Sequence, residues 1–343
     1  MKKLGNVLYI TVPEAYLTLE GETIVISVDE KPKTKLPLHN LDSIICFNFN
    51  GVSPALMGAC VERKISLTFL TPYGRFLASV SGNIRGNVLL RKQQFAIAES
   101  ETLSLAIAMN MVLAKIYNQR KVIERTIRDH SLVVDCQRLS HISAKLKEVL
   151  KSVKEASNTA ELIAIEGFVA KSYFSCFNEM ILQQKSEFSI EGRTRRPPLD
   201  RMNALLSFLY VLLTNDTKSA LEAVGLDPYV GFLHKDRPGR PSLALDVMEE
   251  FRPLLCDRLA LNLVNRRQID PSGFLVKESG AVMMDDDTRK KVILAWQERK
   301  KREILHPFLK EKMPYGLLPH SQSLILSRHI RGDLEEYPPY FLE

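Results

Sequence analysis

Cysteine is sparse in this chain, and none of it is arranged for metal ribbons or redox pairs. The five residues Cys46, Cys60, Cys136, Cys176 and Cys256 are scattered, with no CxxC pair. That argues against a disulfide framework or a zinc ribbon and for a reducing, cytoplasmic setting. No apolar run approaches the length that spans a bilayer, so no membrane association is expected. The opening Met1-Lys2-Lys3-Leu4-Gly5-Asn6 is basic but lacks a following apolar core, so no signal peptide is read there. The composition, 45% hydrophobic and 25% charged, is that of an ordinary globular protein. With 343 residues the chain exceeds what one hydrophobic core usually holds, and two domains are expected. A net charge of +7 fits a polyanionic partner.

The first part, residues 1–83, reads as a β-rich structural and dimerising domain. Short β-prone runs at 7–12, 15–19 and 23–28 are broken by Pro13-Glu14 and Glu20-Gly21-Glu22, the pattern of a meander. Further strands are expected at 43–49, 65–70 and 75–80, with a short helix opened by Ser53-Pro54. His39 reads as a surface loop residue, and no acids and histidines cluster here. Residues 84–100 read as a linker. From Glu101 to the end the pattern is helical, which gives an α+β chain: a β-rich domain followed by a larger all-helical catalytic domain, 101–343.

The helical part carries the chemistry. Asn158-Thr159-Ala160-Glu161 is a capping box, and the helix behind it is apolar from Leu162 to Ala170 except at Glu166 and Gly167. A helix apolar all round is expected to be buried, and a buried carboxylate needs a partner or must give up its charge. That partner is either a structural arginine or a metal. Gly167 suggests a close neighbour at the backbone. The stretch 231–252, GFLHKDRPGRPSLALDVMEEFR, sets His234 in a basic, proline-broken loop before a helix starting at Ser242. Asp246, Glu249 and Glu250 fall at i, i+3 and i+4 and share one helix face, so their charges repel unless a cation sits among them. Pro253 cannot donate back to Glu249 and should bend the helix. Together these features look built to hold a hard divalent cation; a solvated acidic face and a surface histidine are the plainer alternative.

Three basic clusters lie in this part: Arg193, Arg195 and Arg196; Lys235, Arg237 and Arg240; Arg266 and Arg267. They read as phosphate contacts, or as partners of acids such as Glu191, Asp236 and Asp270. Asp200 is expected to cap an apolar helix to about Leu213, Asp216 to cap a second, short one ending at Gly225, and a small hairpin is expected at 273–282. Asp285, Asp286 and Asp287 are better explained by capping the helix they precede than by metal. The basic end of that helix (Arg299, Lys300, Lys301, Arg302) suits phosphate or solvent. The tail GDLEEYPPYFLE reads as mobile or partner-bound.

ELIAIEG around Glu166, RTRRPPLDRMNALLSFLYVLL, and GLDPYVGFLHKDRPGRPSLALDVMEEFRP around His234 and Glu249 resemble, in order and spacing, the CRISPR-associated adaptation integrase and endonuclease, the Cas-one family. The segment LLPHSQSLILSRHIRGDLEEYPPY is similar to the subtype C branch of type I systems. The resemblance implies an asymmetric homodimer that assembles with the small Cas-two partner and acts on double-stranded DNA, both spacer precursor and CRISPR array. It implies one Mg2+ or Mn2+ held by Glu166, His234 and Glu249, with Asp246 beside the site. Oxygen ligands with one imidazole suit those ions better than zinc. A repair or recombination nuclease, and a non-catalytic DNA-binding scaffold with its acids in salt bridges, remain the competing readings.

Overall fold

The computed structural model describes residues 5–47, 50–72, 74–80, 82, 88–194 and 197–342. It divides into two compact units, Met1–Arg85 and Gly86–Glu343.

The first unit holds strands β1 (Asn6–Ile10), β2 (Ala15–Glu20), β3 (Thr23–Val28), β4 (Lys31–Pro37) and β5 (Leu41–Cys46), then helix α1 (Pro54–Glu62) and strands β6 (Ser66–Leu70) and β7 (Phe76–Val80). The meander is confined to β2-β3-β4, an antiparallel sheet. β1 leaves it and runs parallel to β5, which runs parallel to β6, with β7 antiparallel at the edge. Parallel neighbours need a crossover, and α1 supplies it between β5 and β6. Its start is fixed as the sequence suggests, with Pro54 in the first turn and Ser53 Oγ accepting from Leu56 N at 3.3 Å. Ile10, Leu17, Ile24, Ile44, Leu56 and Leu67 close one core. The sequence reading passes over β4 because KPKTKLP is rich in lysine and proline. Those are the residues that suit an edge strand, where an unpaired rim must be kept from joining another chain.

The second unit is helical: α2 (Val88–Glu99), α3 (Glu101–His130), α4 (Cys136–Glu155), α5 (Thr159–Ser175), the short α6 (Lys185–Phe188), α7 (Arg201–Val224), α8 (Ser242–Met248), α9 (Arg258–Asn265), α10 (Asp286–Lys301) and α11 (Leu318–Ile330). Much of the expected linker 84–100 is thus helix α2, anchored in the unit by Gln94, which is fully buried. Gln94 Nε2 donates to the carbonyls of Asp227 (2.8 Å) and Val230 (2.9 Å). α7 is continuous where two helices are expected. Asp216 does not cap a second one; it pairs with Lys300 of α10 at 2.6 Å. The helix stops at Gly225, whose φ of +89° suits a residue without Cβ. The small hairpin expected near 273–282 is present as Phe274–Val276 against Val282–Met284. Asp285 caps α10, accepting from Thr288 N at 2.7 Å. Among the described residues no single helix is long and apolar enough to cross a membrane.

The bend expected at Pro253 is a full break. α8 ends at Met248, the chain turns through 249–251, and a π-helical segment (Arg252–Asp257) leads into α9. Proline removes the hydrogen bond that would have continued the α-helix, and the wider turn re-aims the side chains around it.

Candidate active site

The break separates the three carboxylates that an unbroken helix would have aligned. Asp246, fully buried, faces the histidine loop. It accepts from the backbone N–H groups of Phe232 (2.7 Å), Leu233 (3.0 Å) and His234 (3.1 Å). Its Oδ1 also lies 2.5 Å from His234 Nδ1. A proton on Nδ1 leaves the Nε2 lone pair free to ligate. Gly231 lets the loop come this close, since a Cβ there would stand 2.7 Å from Asp246 Oδ2 and 2.9 Å from Ser242 backbone carbon. Burial alone pushes the imidazole pKa down. The hydrogen bond and charge of Asp246, with the charge of Glu249, outweigh it and leave the net shift upward.

Glu249 turns elsewhere. Its Oε2 lies 2.7 Å from Lys115 Nζ in an ion pair without hydrogen-bond alignment, and its Oε1 pairs with Arg252. Burial would raise its pKa, but Arg252 and Lys115 hold it down at about 2. The carboxylate is therefore charged although only 4% exposed. Glu166, from α5, pairs with the same Lys115 ammonium. Two of the three expected ligands, 83 residues apart in sequence, thus meet on one nitrogen. The Arg252 guanidinium stacks 4.0 Å over the Tyr210 ring, and Tyr210 donates to Asp257 at 2.6 Å. Burial raises Asp257 to about 6, against the pull of Tyr210 and Arg252. Glu250 points away from this group, into a buried contact with the C-terminal tail described below.

Among the described residues, no three His, Cys, Asp or Glu side chains stand close enough to hold an ion. The donor set nevertheless fits a hard divalent cation. One buried carboxylate stays ionised, a second meets the same cation, and one imidazole has Nδ1 held by Asp246, which leaves Nε2 free. Charge from His234 also acts on Glu249.

The model of the family described as CRISPR associated protein Cas1 matches residues 8–298. The CRISPR-associated endonuclease Cas1 1 of Chlorobaculum tepidum is 48% identical over 340 residues, 99% of each chain. The chain belongs to the Cas1 family. It is an endonuclease of CRISPR adaptation, as the family and its high-identity relatives establish. A Cas1 protein from Thermotoga maritima shares the fold at TM-score 0.81 and 24% identity, covering 98% of this chain and all of that one. A casposase bound to integration product shares it at TM-score 0.84 and 19% identity, covering 98% and 94%. These two likenesses concern the fold, a β-rich part followed by a mostly helical one.

Several details of this Cas1 chain depart from the sequence reading. α5 is not buried all round: Ile163 (39%) and Phe168 (45%) are exposed beside Glu166, and a Cβ on Gly167 would meet nothing within 4 Å. The glycine marks open space, not a close neighbour. Arg193 is structural; it donates to Asn203 Oδ1 at 2.6 Å and to Ser207 Oγ at 3.0 Å. Arg195 and Arg196 lie outside the described residues. Lys235 and Arg237 are exposed on the histidine loop, Arg240 is half-buried there, and Arg266 and Arg267 are exposed after α9. Arg299 and Lys300 are only 4% exposed each, so that half of the basic helix end is closed to phosphate. The tail is docked: Tyr337 Oη donates to Glu250 Oε1 at 2.5 Å and Tyr340 N to Oε2 at 2.7 Å. Lys115 and Arg252 are missing from the sequence reading altogether.

Proposed function

We propose that this chain is a divalent-metal-dependent DNA endonuclease and integrase of spacer acquisition. Glu166, His234 and Glu249 hold one Mg2+ or Mn2+, and Asp246 fixes the histidine. The observation that carries the reading is the meeting of Glu166 and Glu249 on a single cation, beside an imidazole whose Nδ1 is committed to Asp246. When bound, the ion neutralises charge developing on the phosphate and leaving oxygen. The chain's own groups prepare that chemistry. Asp246 keeps His234 in one orientation, and Arg252 keeps Glu249 ionised. Lys235, Arg237 and Arg240 offer positive charge to the backbone of double-stranded DNA without reading its sequence, with Arg195 and Arg196 as further candidates. Strand transfer uses a DNA 3′-hydroxyl as nucleophile, and cleavage uses water. The working assembly is a homodimer with the small Cas-two partner in the cytoplasm, acting on spacer precursor and CRISPR array. The fold shared with a casposase bound to integration product agrees with strand transfer.

The test is cleavage and strand transfer with Mg2+ or Mn2+, for the native protein and for His234→Ala and Glu249→Gln. Both variants should lose both activities while keeping most DNA affinity, which basic residues supply. Strand transfer by His234→Ala near the native rate would overturn the ligand assignment. The ion pairs of both acids also suit a DNA-binding scaffold, and complete absence of metal-dependent activity in the native protein would favour that reading.

A further inference from the structure

Lys115 is an unusual residue to find where it is. It projects from α3 with 4% exposure and contacts the carboxylates of Glu166 and Glu249 together. Its placement is enforced. One turn along α3, the fully buried Asn118 donates through Nδ2 to the Glu250 carbonyl at 2.8 Å, tying the backbone beside Glu249 to this helix. Counting charges, Glu166 and Glu249 contribute two negatives, and Lys115 and Arg252 two positives, so the group is neutral without any added ion. The oxygens that a divalent cation would take, Glu166 Oε1 and Glu249 Oε2, are the ones the ammonium already faces. The second Glu249 oxygen is occupied by Arg252.

We propose that Lys115 is the built-in counter-cation of this site: it holds the two carboxylates together in the metal-free protein and competes with the divalent ion for them. This rests on the metal site proposed above. Two carboxylates meeting at one point, Glu249 buried and Glu166 partly so, repel strongly unless a positive charge lies between them. An ammonium on a flexible four-carbon stem supplies that charge and can also withdraw, which a rigid guanidinium does less readily. An arriving divalent ion must displace it, and the two carboxylates, Arg252 and the ion then carry an excess of one positive charge. That excess suits DNA phosphates. Metal binding should therefore be weak in the free protein and strengthen when DNA is present.

The test is Mn2+ binding to the DNA-free protein, followed by the electron paramagnetic resonance signal of free Mn2+. Lys115→Met should bind Mn2+ at least about tenfold more tightly than the native chain, because no resident cation competes, a factor of ten being about 1.4 kcal/mol. Equal or weaker binding by a variant with a native circular dichroism spectrum and cooperative melting overturns the inference. A second measurement needs no variant. In the native protein, Lys115 should resist acylation by a lysine-directed reagent, scored by mass spectrometry, and become reactive when Mn2+ is added. Labelling that Mn2+ leaves unchanged overturns it too. Failure of Mn2+ to bind either protein overturns the metal site itself, and this inference with it. Binding to both with equal strength removes only the role of Lys115.

Discussion

Replacing Glu250 by glutamine should remove a specific slice of the protein's pH dependence. Glu250 is fully buried and accepts from Tyr337 Oη, Tyr340 N and Gln322 Nε2. Burial pushes its pKa from the ordinary 4.5 up to about 8, the three donors pulling only partly against it. Above its unfolded value and below its folded one, the folded chain keeps a proton that the unfolded chain has released. Stability therefore falls as pH rises from about 4.5 to about 8 and levels off beyond. At about 1.4 kcal/mol per pH unit, the full effect is on the order of 5 kcal/mol. That is a ceiling, because an ionised Glu250 can be relieved by releasing the tail instead of unfolding the domain.

Glutamine keeps the shape and an acceptor oxygen but has no proton to lose. Thermal melts of the native chain and Glu250→Gln should diverge as pH rises. Asp257, raised to about 6, is common to both and cancels in the comparison. At about 2 °C per kcal/mol for a chain this long, the native Tm should fall at least about 5 °C further than the variant's between about pH 5 and about pH 8.5. In parallel, tail cleavage by a protease should grow with pH in the native chain alone. Two melting profiles that run parallel across this range would show that the buried carboxyl is not the titrating group.

Asp246→Asn should slow strand transfer about 10- to 100-fold with the fold retained, since an amide cannot accept from three backbone N–H groups and the imidazole together. Near-native turnover by this variant would show that the histidine needs no such support. Neutralising Arg237 or Arg240 should each lower the slope of log DNA affinity against log salt by about one unit without changing sequence preference. The doubly substituted Arg195/Arg196 protein should lower it further, and unchanged slopes in all three would move the DNA track to Arg266, Arg267, Lys301 and Arg302.

Local signals carried most of the fold. Caps at Ser53, Asn158, Asp200 and Asp285 begin the helices that the sequence reading assigns to them. Beyond local signals, it failed in recognisable ways. β1 is a good strand by composition, but its parallel partner β5 lies more than 30 residues on, and nothing in a β-prone run names its neighbour. The tail reads as mobile or partner-bound because it is polar and contains proline, yet prolines also stiffen a segment whose two tyrosines fill buried sites. The acidic face of 246–250 presumes a helix that continues through Glu250. Pro253 warned of a bend, but a break just before it redistributes three carboxylates among three different environments.

Lys115 is the instructive omission, because the signal that singled out Glu166 was present for it as well. Between Glu101 and Arg120 it is the only charged residue, set in LAIAMNMVLAKIYN. A lone acid in one apolar helix and a lone base in another each face the same desolvation problem. The cheapest solution for both is to meet. Sequence alone left that pairing open, since Glu166 had many arginines to choose from and α3 could have turned Lys115 towards solvent. What decides it is the seating of α3 against the 249–251 turn: Asn118 holds the Glu250 carbonyl and Lys115, one helical turn away, the Glu249 carboxylate. A lone buried base is thus as strong a pointer to a charged site as a lone buried acid, and the two are best sought as a pair.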